Sequence, residues 1–236
     1  MITIKIAGIA VGIDNRFTDV EKFSRDYLTD DAPDFTVSVS DDDIEKERVE
    51  SATDLHDGYY EFTVAYRKIA ERLHEYDAFL FHGCVLDLSG DAYVITAHSG
   101  VGKTTHTRLW LREFEGEVSI LNGDKPIIRI IDGVPYACGT PWQGKERYGK
   151  NAICPLRGFA FLSRSEENRA TEISAADAVT RFMTQIYLPK GSQLALVKTM
   201  RLADRVLREA TLVRLECNME PDAAHVCRAA LTKNGN

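Results

Sequence analysis

The chain has 236 residues, a length that suits one large domain or one domain with a small attachment. Hydrophobic residues make up 44% and charged residues 28%, as in ordinary globular proteins, and the net charge is -7. That acidic balance argues against a protein that binds nucleic acid through its phosphates, and no apolar run is long enough to cross a bilayer. The sequence therefore predicts a cytoplasmic protein without a nucleic-acid or membrane partner.

The cysteines point to the same compartment. There are five of them, an odd number, and their spacing does not match a metal site: Cys84, Cys138, Cys154, Cys217 and Cys227. This pattern indicates reduced, mostly buried thiols.

Residues 1–58 are predicted to form a small α+β unit. Ile2, Ile4 and Ile6 alternate with Thr3 and Lys5, which favours a strand over a signal peptide. A short helix over "DVEKFSRDYL" and a strand over "DFTVSVS" follow. The acid-rich "SDDDIEKERVES" is predicted to be a solvated face or loop.

The second predicted unit spans 59–236 and begins with a helix. Phe62, Tyr66, Ile69 and Leu73 recur at helical spacing. Strands are predicted at "CVLDL", "AYVITA", "VSILN", "LRGFAFLS" and "TLVRLECN", with a hairpin that turns near Asp132-Gly133. Helices are predicted after the glycine loop, near 174–187 and 194–210, and at the carboxyl end. Hairpins mixed with helices predict the α/β class with a mixed central β-sheet, rather than a doubly wound parallel one.

The glycine-rich loop carries the most specific signal. "AHSGVGKT" runs from Ala97 to Thr104 between a predicted strand and a predicted helix, close to the phosphate-binding P-loop pattern. In such a loop the backbone N–H groups and the helix dipole bind phosphate, a lysine reaches the β- and γ-phosphates, and a hydroxyl binds Mg²⁺. The residues predicted to bind nucleotide are Ser99, Gly100, Val101, Gly102, Lys103, Thr104 and Thr105. ATP and Mg²⁺ are the expected cofactors, with Thr104 as a metal ligand.

Ala97 departs from the pattern, which usually opens with glycine. Alanine is tolerable there if its φ is negative, because the added methyl group is then the main cost. The alternative is a chance glycine turn before a helix, which the flanking strand and helix disfavour.

The loop and its flanks also resemble a known family. "FHGCVLDLSGDAYVITAHSGVGKTTHTRLW", with His82-Gly83 opening a strand, resembles the catalytic domain of HPr kinase/phosphorylase and, more distantly, the ATP-binding core of phosphoenolpyruvate carboxykinase. "GTPWQGKERYGKNAICPL" resembles a segment of stand-alone HPr-kinase-like proteins. The resemblance implies a mixed sheet with flanking helices and phosphoryl transfer from ATP to a hydroxyl. The leading unit does not look like the amino-terminal domain of the HPr enzyme.

The resemblance also implies catalytic residues. The family has two adjacent aspartates after a strand; here Gly123 replaces the first and Asp124 stands at the second. Asp124 is thus implied to bind Mg²⁺ and to take the acceptor's proton, with His82 as an alternative base and Lys103 in the catalytic set. The structural alternatives are a turn aspartate and a packed histidine at a strand end. A further alternative is lost catalysis with retained nucleotide binding, which an aspartate restored at Gly123 would then reverse.

Three residues of the segment "GTPWQGKERYG" are predicted to serve the substrate. Lys145 and Arg147 would bring positive charge to the transferring phosphoryl group or to an anionic acceptor, and Trp142 would wall the acceptor pocket. The structural alternative is a loop anchored by its tryptophan.

These residues predict an ATP- and Mg²⁺-dependent kinase, a transferase whose acceptor is a serine of a protein or peptide, or a hydroxyl of a small molecule. The second hypothesis is a nucleotide-binding sensor or scaffold without chemistry. A carboxykinase-like enzyme ranks last, because the sequence shows no convincing His/Lys/Asp constellation for it. Whether the chain forms a homo-oligomer stays open.

Overall fold

A small three-stranded sheet opens the chain in the computed structural model, which describes residues 1–51, 54–98 and 100–233. Strands β1 (Ile2–Ile6) and β2 (Ile9–Asp14) are antiparallel, and β3 (Phe35–Ser38) lies parallel to β2. The turn between β1 and β2 places Ala7 and Gly8 at φ 51° and 75°, as a tight hairpin requires. Helices α1 (Thr18–Phe23) and α2 (Asp41–Glu50) complete this part, with a 3₁₀ turn at Arg25–Tyr27.

The acid-rich segment forms helix α2 and not a loop, so that part of the prediction is wrong. The Ser40 hydroxyl accepts a hydrogen bond from the Asp43 N–H (3.2 Å), and the Asp43 carboxylate accepts one from the Ser40 N–H (2.9 Å). This reciprocal cap and the three aspartates of the first turn stabilise a helix start. Ile44 faces the core while Asp41 and Asp42 stay in solvent, so the solvated face is confirmed.

Helix α3 (Asp57–Arg72) and the 3₁₀ turn Leu73–Tyr76 join the small sheet to the main one. Phe62, Ile69 and Leu73 are buried, as their helical spacing predicts. One apolar cluster contains these residues, the inner side chains of the small sheet and Ile127 of the main sheet. The two predicted units therefore share a core, and a boundary at 58/59 stays a prediction.

The main sheet is mixed, as predicted. In the described part of the chain it has nine strands: β4 (Ala78–Leu80), β5 (Cys84–Leu88), β6 (Asp91–Thr96), β7 (Val118–Asn122), β8 (Ile127–Ile131), β9 (Val134–Cys138), β10 (Ile153–Arg164), β11 (Arg169–Glu172) and β12 (Thr211–Cys217). The order is β4-β8-β9-β10-β6-β5-β7, with β12 beside the second half of β10 and β11 beside β12. Only the pairings of β10 with β6 and with β12 are parallel among the described strands of this sheet.

Helices cover both faces of this sheet, which confirms the α/β class. They are α4 (Lys103–Glu113), α5 (Ala175–Met183), α6 (Gln193–Glu209) and α7 (Asp222–Leu231). On one face Trp110 of α4 and Cys227 of α7 pack against the strands, and on the other face Phe182 of α5 and Val206 of α6 do so. The predicted hairpin is also confirmed, because Asp132 and Gly133 turn between β8 and β9 at φ 47° and 87°.

The register of β5 determines where the predicted site residues lie. This strand is antiparallel to both neighbours, and Cys84 lies opposite Ile95 of β6 while Val85 lies opposite Asn122 of β7. The start of β5 therefore meets the ends of β6 and β7, which brings residues 82–83, 97–98, 100–102 and 123–124 to one edge of the sheet.

All five cysteines are buried free thiols, as the sequence predicts. Among the described residues, no helix combines the length and the apolar character that crossing a bilayer requires.

Candidate active site

The glycine loop links β6 to α4 through a backbone that only glycine adopts easily. Gly100 has φ 78° and Gly102 has φ 130°. Gly102 is also the N-cap of α4 and offers no side chain to the first-turn amides, so these N–H groups stay available to an anion. Ala97 is buried and does not have a left-handed φ, so the departure from glycine at this position is tolerated. Ser99 lies outside the described residues.

Arg164, at the end of β10, holds the loop from outside. Its guanidinium donates to the carbonyl oxygens of Gly100 (2.6 Å) and Val101 (2.9 Å). The role of Arg164 is not visible in the sequence, because only the parallel pairing of β10 with β6 brings the end of β10 beside the glycine loop. Val101 is partly buried and packs against the apolar cluster that contains Trp110.

Lys103 is half-buried at the start of α4. Its Nζ donates a hydrogen bond to the Ala97 carbonyl oxygen at 3.0 Å. Burial lowers the pKa of this ammonium, the charge of Asp124 opposes that shift, and the nearby Lys125 adds to it. The pKa of Lys103 therefore falls mainly because burial disfavours the charged form of the ammonium.

The Asp124 carboxylate lies between the His82 imidazole and the Lys125 ammonium. His82 Nε2 is 3.2 Å from Asp124 Oδ1, and Lys125 Nζ is 3.2 Å from Asp124 Oδ2. The Gly83 N–H donates to the Asp124 carbonyl oxygen (3.0 Å), which ties this turn to the start of β5. Burial raises the pKa of Asp124, but the His82 hydrogen bond and the Lys125 charge outweigh it, so the pKa falls below its usual value. The carboxylate is therefore ionised at neutral pH.

Asn122 positions this aspartate. Its buried side chain accepts hydrogen bonds from the N–H groups of Asp124 (2.9 Å) and Lys125 (2.8 Å), forming an Asx turn. Its Nδ2 donates to the Thr140 carbonyl oxygen and hydroxyl. An asparagine that ends a strand just before Gly-Asp is a turn signal, and this signal could have predicted the role of Asn122.

One cavity joins these groups. It has a volume of about 460 Å³, and we call it the loop cavity; its lining includes His82, Cys84, Gly100, Gly102, Lys103, Thr104, Thr105, Asp124 and Lys145. Lys103 and Asp124 thus line the same concavity. Burial raises the pKa of the Cys84 thiol to about 11, so this cysteine contributes no thiolate.

Gly123 is crowded, which corrects the idea that an aspartate could simply be restored there. A Cβ on Gly123 would lie 2.6 Å from the Gln143 carbonyl oxygen and 3.1 Å from that of Tyr148. The Gly123 N–H donates to the Tyr148 carbonyl oxygen at 2.9 Å. An aspartate would displace this neighbouring backbone, so glycine at 123 serves close packing.

The predicted substrate residues of segment 139–150 line two different cavities. Lys145 lines the loop cavity, but Trp142 and Arg147 do not. Trp142 is buried, donates from Nε1 to the Phe62 carbonyl oxygen (3.1 Å) and stacks on the Phe62 ring, so it anchors the segment to α3. Arg147 lies over the Phe23 ring at 4.6 Å. Trp142, Lys145 and Arg147 all line a second cavity of about 600 Å³.

The residues fit a magnesium ion that is bound jointly with phosphate. Among the described residues no group of three or more histidine, cysteine or acidic side chains could hold a metal alone. Mg²⁺ commonly uses one or two carboxylates together with substrate phosphates, and it does not require a protein-only cage. The ionised Asp124 carboxylate and the exposed Thr104 hydroxyl line the same cavity as the loop and supply that kind of donor.

Comparisons with known proteins give little beyond this geometry. No protein-family model matches the sequence, and no curated protein matches it. Among solved structures, the Hpr(Ser) kinase/phosphatase from Coxiella burnetii is similar at 10% sequence identity and a TM-score of 0.39. That similarity covers 66% of this chain and 99% of the other. It is too small to establish a shared activity, so function has to be argued from the site itself.

Proposed function

We propose that this protein is an ATP- and Mg²⁺-dependent kinase that transfers the γ-phosphoryl group to a hydroxyl acceptor. The observation that carries the proposal is the meeting of Lys103, the amino end of α4 and the His82–Asp124 pair in the loop cavity. Phosphoryl transfer depends on positioning and charge neutralisation more than on covalent help from the protein, and these groups supply both.

Lys103 and the loop amides bind the phosphate oxygens in this proposal. The confined Lys103 ammonium compensates negative charge on the β- and γ-phosphates more strongly than a solvated lysine does. Thr104 and Asp124 would hold Mg²⁺, which supplies charge neutralisation between the phosphates. Lys145 faces the same cavity and adds a further cation near the transferred group.

In this proposal His82, paired with Asp124, accepts the proton of the acceptor hydroxyl. Asp124 is a weak base because its pKa is lowered, but its carboxylate orients and stabilises the imidazole of His82 at 3.2 Å. His82 is partly exposed to the cavity, so its ring is accessible to an acceptor hydroxyl. His82 is therefore assigned as the proton acceptor and Asp124 as its partner and the metal ligand.

In this proposal the nucleoside binds on the other side of the loop. A third cavity of about 420 Å³ shares Gly102 and Thr105 with the loop cavity and is lined on its apolar side by Leu162 and Met219. A nucleotide that crosses the loop at Gly102 would place its phosphates in the loop cavity and its base against these side chains.

Lys103→Ala tests the proposal, with Lys198→Ala on the exposed surface of α6 as the matched control. Loss of a charge-assisted contact to phosphate of about 2–3 kcal/mol corresponds to a roughly 30- to 150-fold weaker ATP affinity. Calorimetry with Mg²⁺-ATP measures the affinity, and radiolabelled ATP measures transfer to a panel of hydroxyl compounds. Unchanged binding and unchanged transfer in Lys103→Ala would show that the site lies elsewhere.

A nucleotide sensor is the second candidate, and one observation favours it. Both carboxylate oxygens of Asp124 already have cationic or imidazole partners, which leaves the aspartate weakly basic. A sensor binds Mg²⁺-ATP with the same dependence on Lys103 but transfers phosphate to none of the panel.

A further inference from the structure

The second cavity adjoins the loop cavity at the proposed catalytic aspartate. It lies between α3 and the segment 139–150 and shares Asp124, Gln143, Gly144 and Lys145 with the loop cavity. Its volume of about 600 Å³ falls within the range of small-molecule sites. We call it the aromatic cavity.

Aromatic rings form one wall of the aromatic cavity. Phe62 and Trp142 stack at 5.5 Å between ring centroids, and Tyr66 lies 5.5 Å from Trp142 at a tilt of 57°. Tyr59 and Phe23 extend the wall, each in contact with the Phe62 ring. A wall of contacting rings favours an apolar group, and a planar ring on the occupant can add offset-stacked or edge-to-face contacts to these side chains.

Positive charge faces the same space. Lys125, Lys145 and Arg147 line the aromatic cavity. The acidic lining residues are both paired already, Glu47 with Arg67 and Asp124 with His82 and Lys125. Because Lys125 is already engaged with Asp124, the cations that face an occupant are Lys145 and Arg147, and these suit a carboxylate or phosphate on it.

From this arrangement we propose that the aromatic cavity is the acceptor site, and that it takes a small compound carrying a hydroxyl, a planar ring and an anionic group. This assignment rests on the proposed kinase function, because the two cavities meet at Asp124 and the hydroxyl is presented there. The hydroxyl oxygen forms a bond to the γ-phosphorus while the bond from that phosphorus to the β–γ bridging oxygen breaks. ADP leaves with the bond's electron pair, and the hydroxyl proton passes to His82.

The first experiment compares three probes by calorimetry, with Mg²⁺ and a non-hydrolysable ATP analogue present. The first probe is 6-(hydroxymethyl)-2-naphthoate, which has all three features. The second replaces its carboxylate with an aminomethyl group, and the third, 4-hydroxybutyrate, keeps hydroxyl and carboxylate but lacks the ring. We expect the naphthoate to bind at least about tenfold more tightly than either control, since each control removes one class of contact.

Two arginine variants locate the binding. Arg147 lies over Phe23 at 4.6 Å in the aromatic cavity, and Arg72 lies over Phe35 at 4.5 Å outside it. Arg147→Gln is expected to weaken naphthoate binding about tenfold, and Arg72→Gln to leave it unchanged, because only Arg147 loses a charge facing the occupant. Tyr59→Ala, at a half-exposed ring of the wall, gives a second local variant whose expected effect is a similar weakening.

The outcomes separate this assignment from the kinase proposal. Equal affinity for the amine probe or the ring-free probe overturns the acceptor class, and equal effects of the two arginine variants overturn the location. Phosphorylation of a serine peptide in preference to the naphthoate overturns it in favour of a peptide substrate. In each case Mg²⁺-ATP binding that still depends on Lys103 leaves the nucleotide site standing, whereas loss of that dependence contradicts the kinase proposal itself.

Discussion

Two sets of glycines surround the candidate site and serve opposite physical needs. Gly100 and Gly102 have positive φ, and a Cβ on either one would meet no atom within 4 Å. Gly123 and Gly139 lie in the neighbouring turn and strand end, where a Cβ would strike backbone oxygen atoms. Gly100 and Gly102 allow a backbone conformation with positive φ. Gly123 and Gly139 leave room for the backbone of segment 143–150 to approach closely.

The two sets also differ in whether their role can be predicted from the sequence. Gly100 and Gly102 of the glycine loop stand at fixed spacing before Lys103, so a phosphate-binding role can be predicted from the sequence. The crowded glycines depend on where segment 143–150 returns to the end of β7, and that is set by tertiary structure. Gly123 consequently looks like a missing aspartate in the sequence and proves to be a packing position.

Gly139→Ala is expected to have the largest effect on stability. The added Cβ would lie 1.9 Å from the Lys150 carbonyl oxygen, and a backbone oxygen has little freedom to move away. We expect the free energy of unfolding to fall by about 3 kcal/mol or more, measured by urea denaturation. Gly116→Ala is the control, because its φ is 81° but its Cβ would have open space. Equal losses in the two variants would contradict the crowding at Gly139.

Gly100→Ala tests the other set and should cost less stability. Its φ of 78° disfavours any side chain, and the strain is worth about 1–2 kcal/mol with no clash added. The loop relieves that strain by shifting its amides, so Mg²⁺-ATP affinity is expected to drop about tenfold in calorimetry. Gly116→Ala again serves as control, with a similar stability loss and unchanged affinity. An affinity unaffected by Gly100→Ala would mean that the loop backbone does not bind phosphate.

Ala97→Gly should have the smallest effect. Alanine already fits this buried position without a left-handed φ, so glycine removes a buried methyl group and adds freedom to the unfolded chain. Stability is expected to fall by about 0.5–1 kcal/mol, and ATP affinity to change by less than about twofold. A clear gain in ATP affinity would show that Ala97 weakens the loop.

Much of the fold was predictable, because strong periodicity and turn chemistry are local. The hairpin at Asp132-Gly133 and the helical stripe of α3 follow from spacing alone. β4 was missed because three buried residues carry no periodicity, and β11 because its residues are mostly exposed. In the candidate site, the loop and the proximity of His82 to Asp124 follow from motif and resemblance. The contacts of Arg164 and Asn122 could not be predicted, since both depend on strand register.

The hydrogen bonds from Arg164 to the carbonyl oxygens of the glycine loop have an electrostatic consequence. In a trans peptide the carbonyl and the amide hydrogen point in opposite directions, and Arg164 fixes the Val101 carbonyl on its own side. The Gly102 N–H belongs to the same peptide group as the Val101 carbonyl and is the positive end of its dipole. It is therefore directed away from the guanidinium. A side chain that does not line the loop cavity thus sets the polarity of the backbone that does.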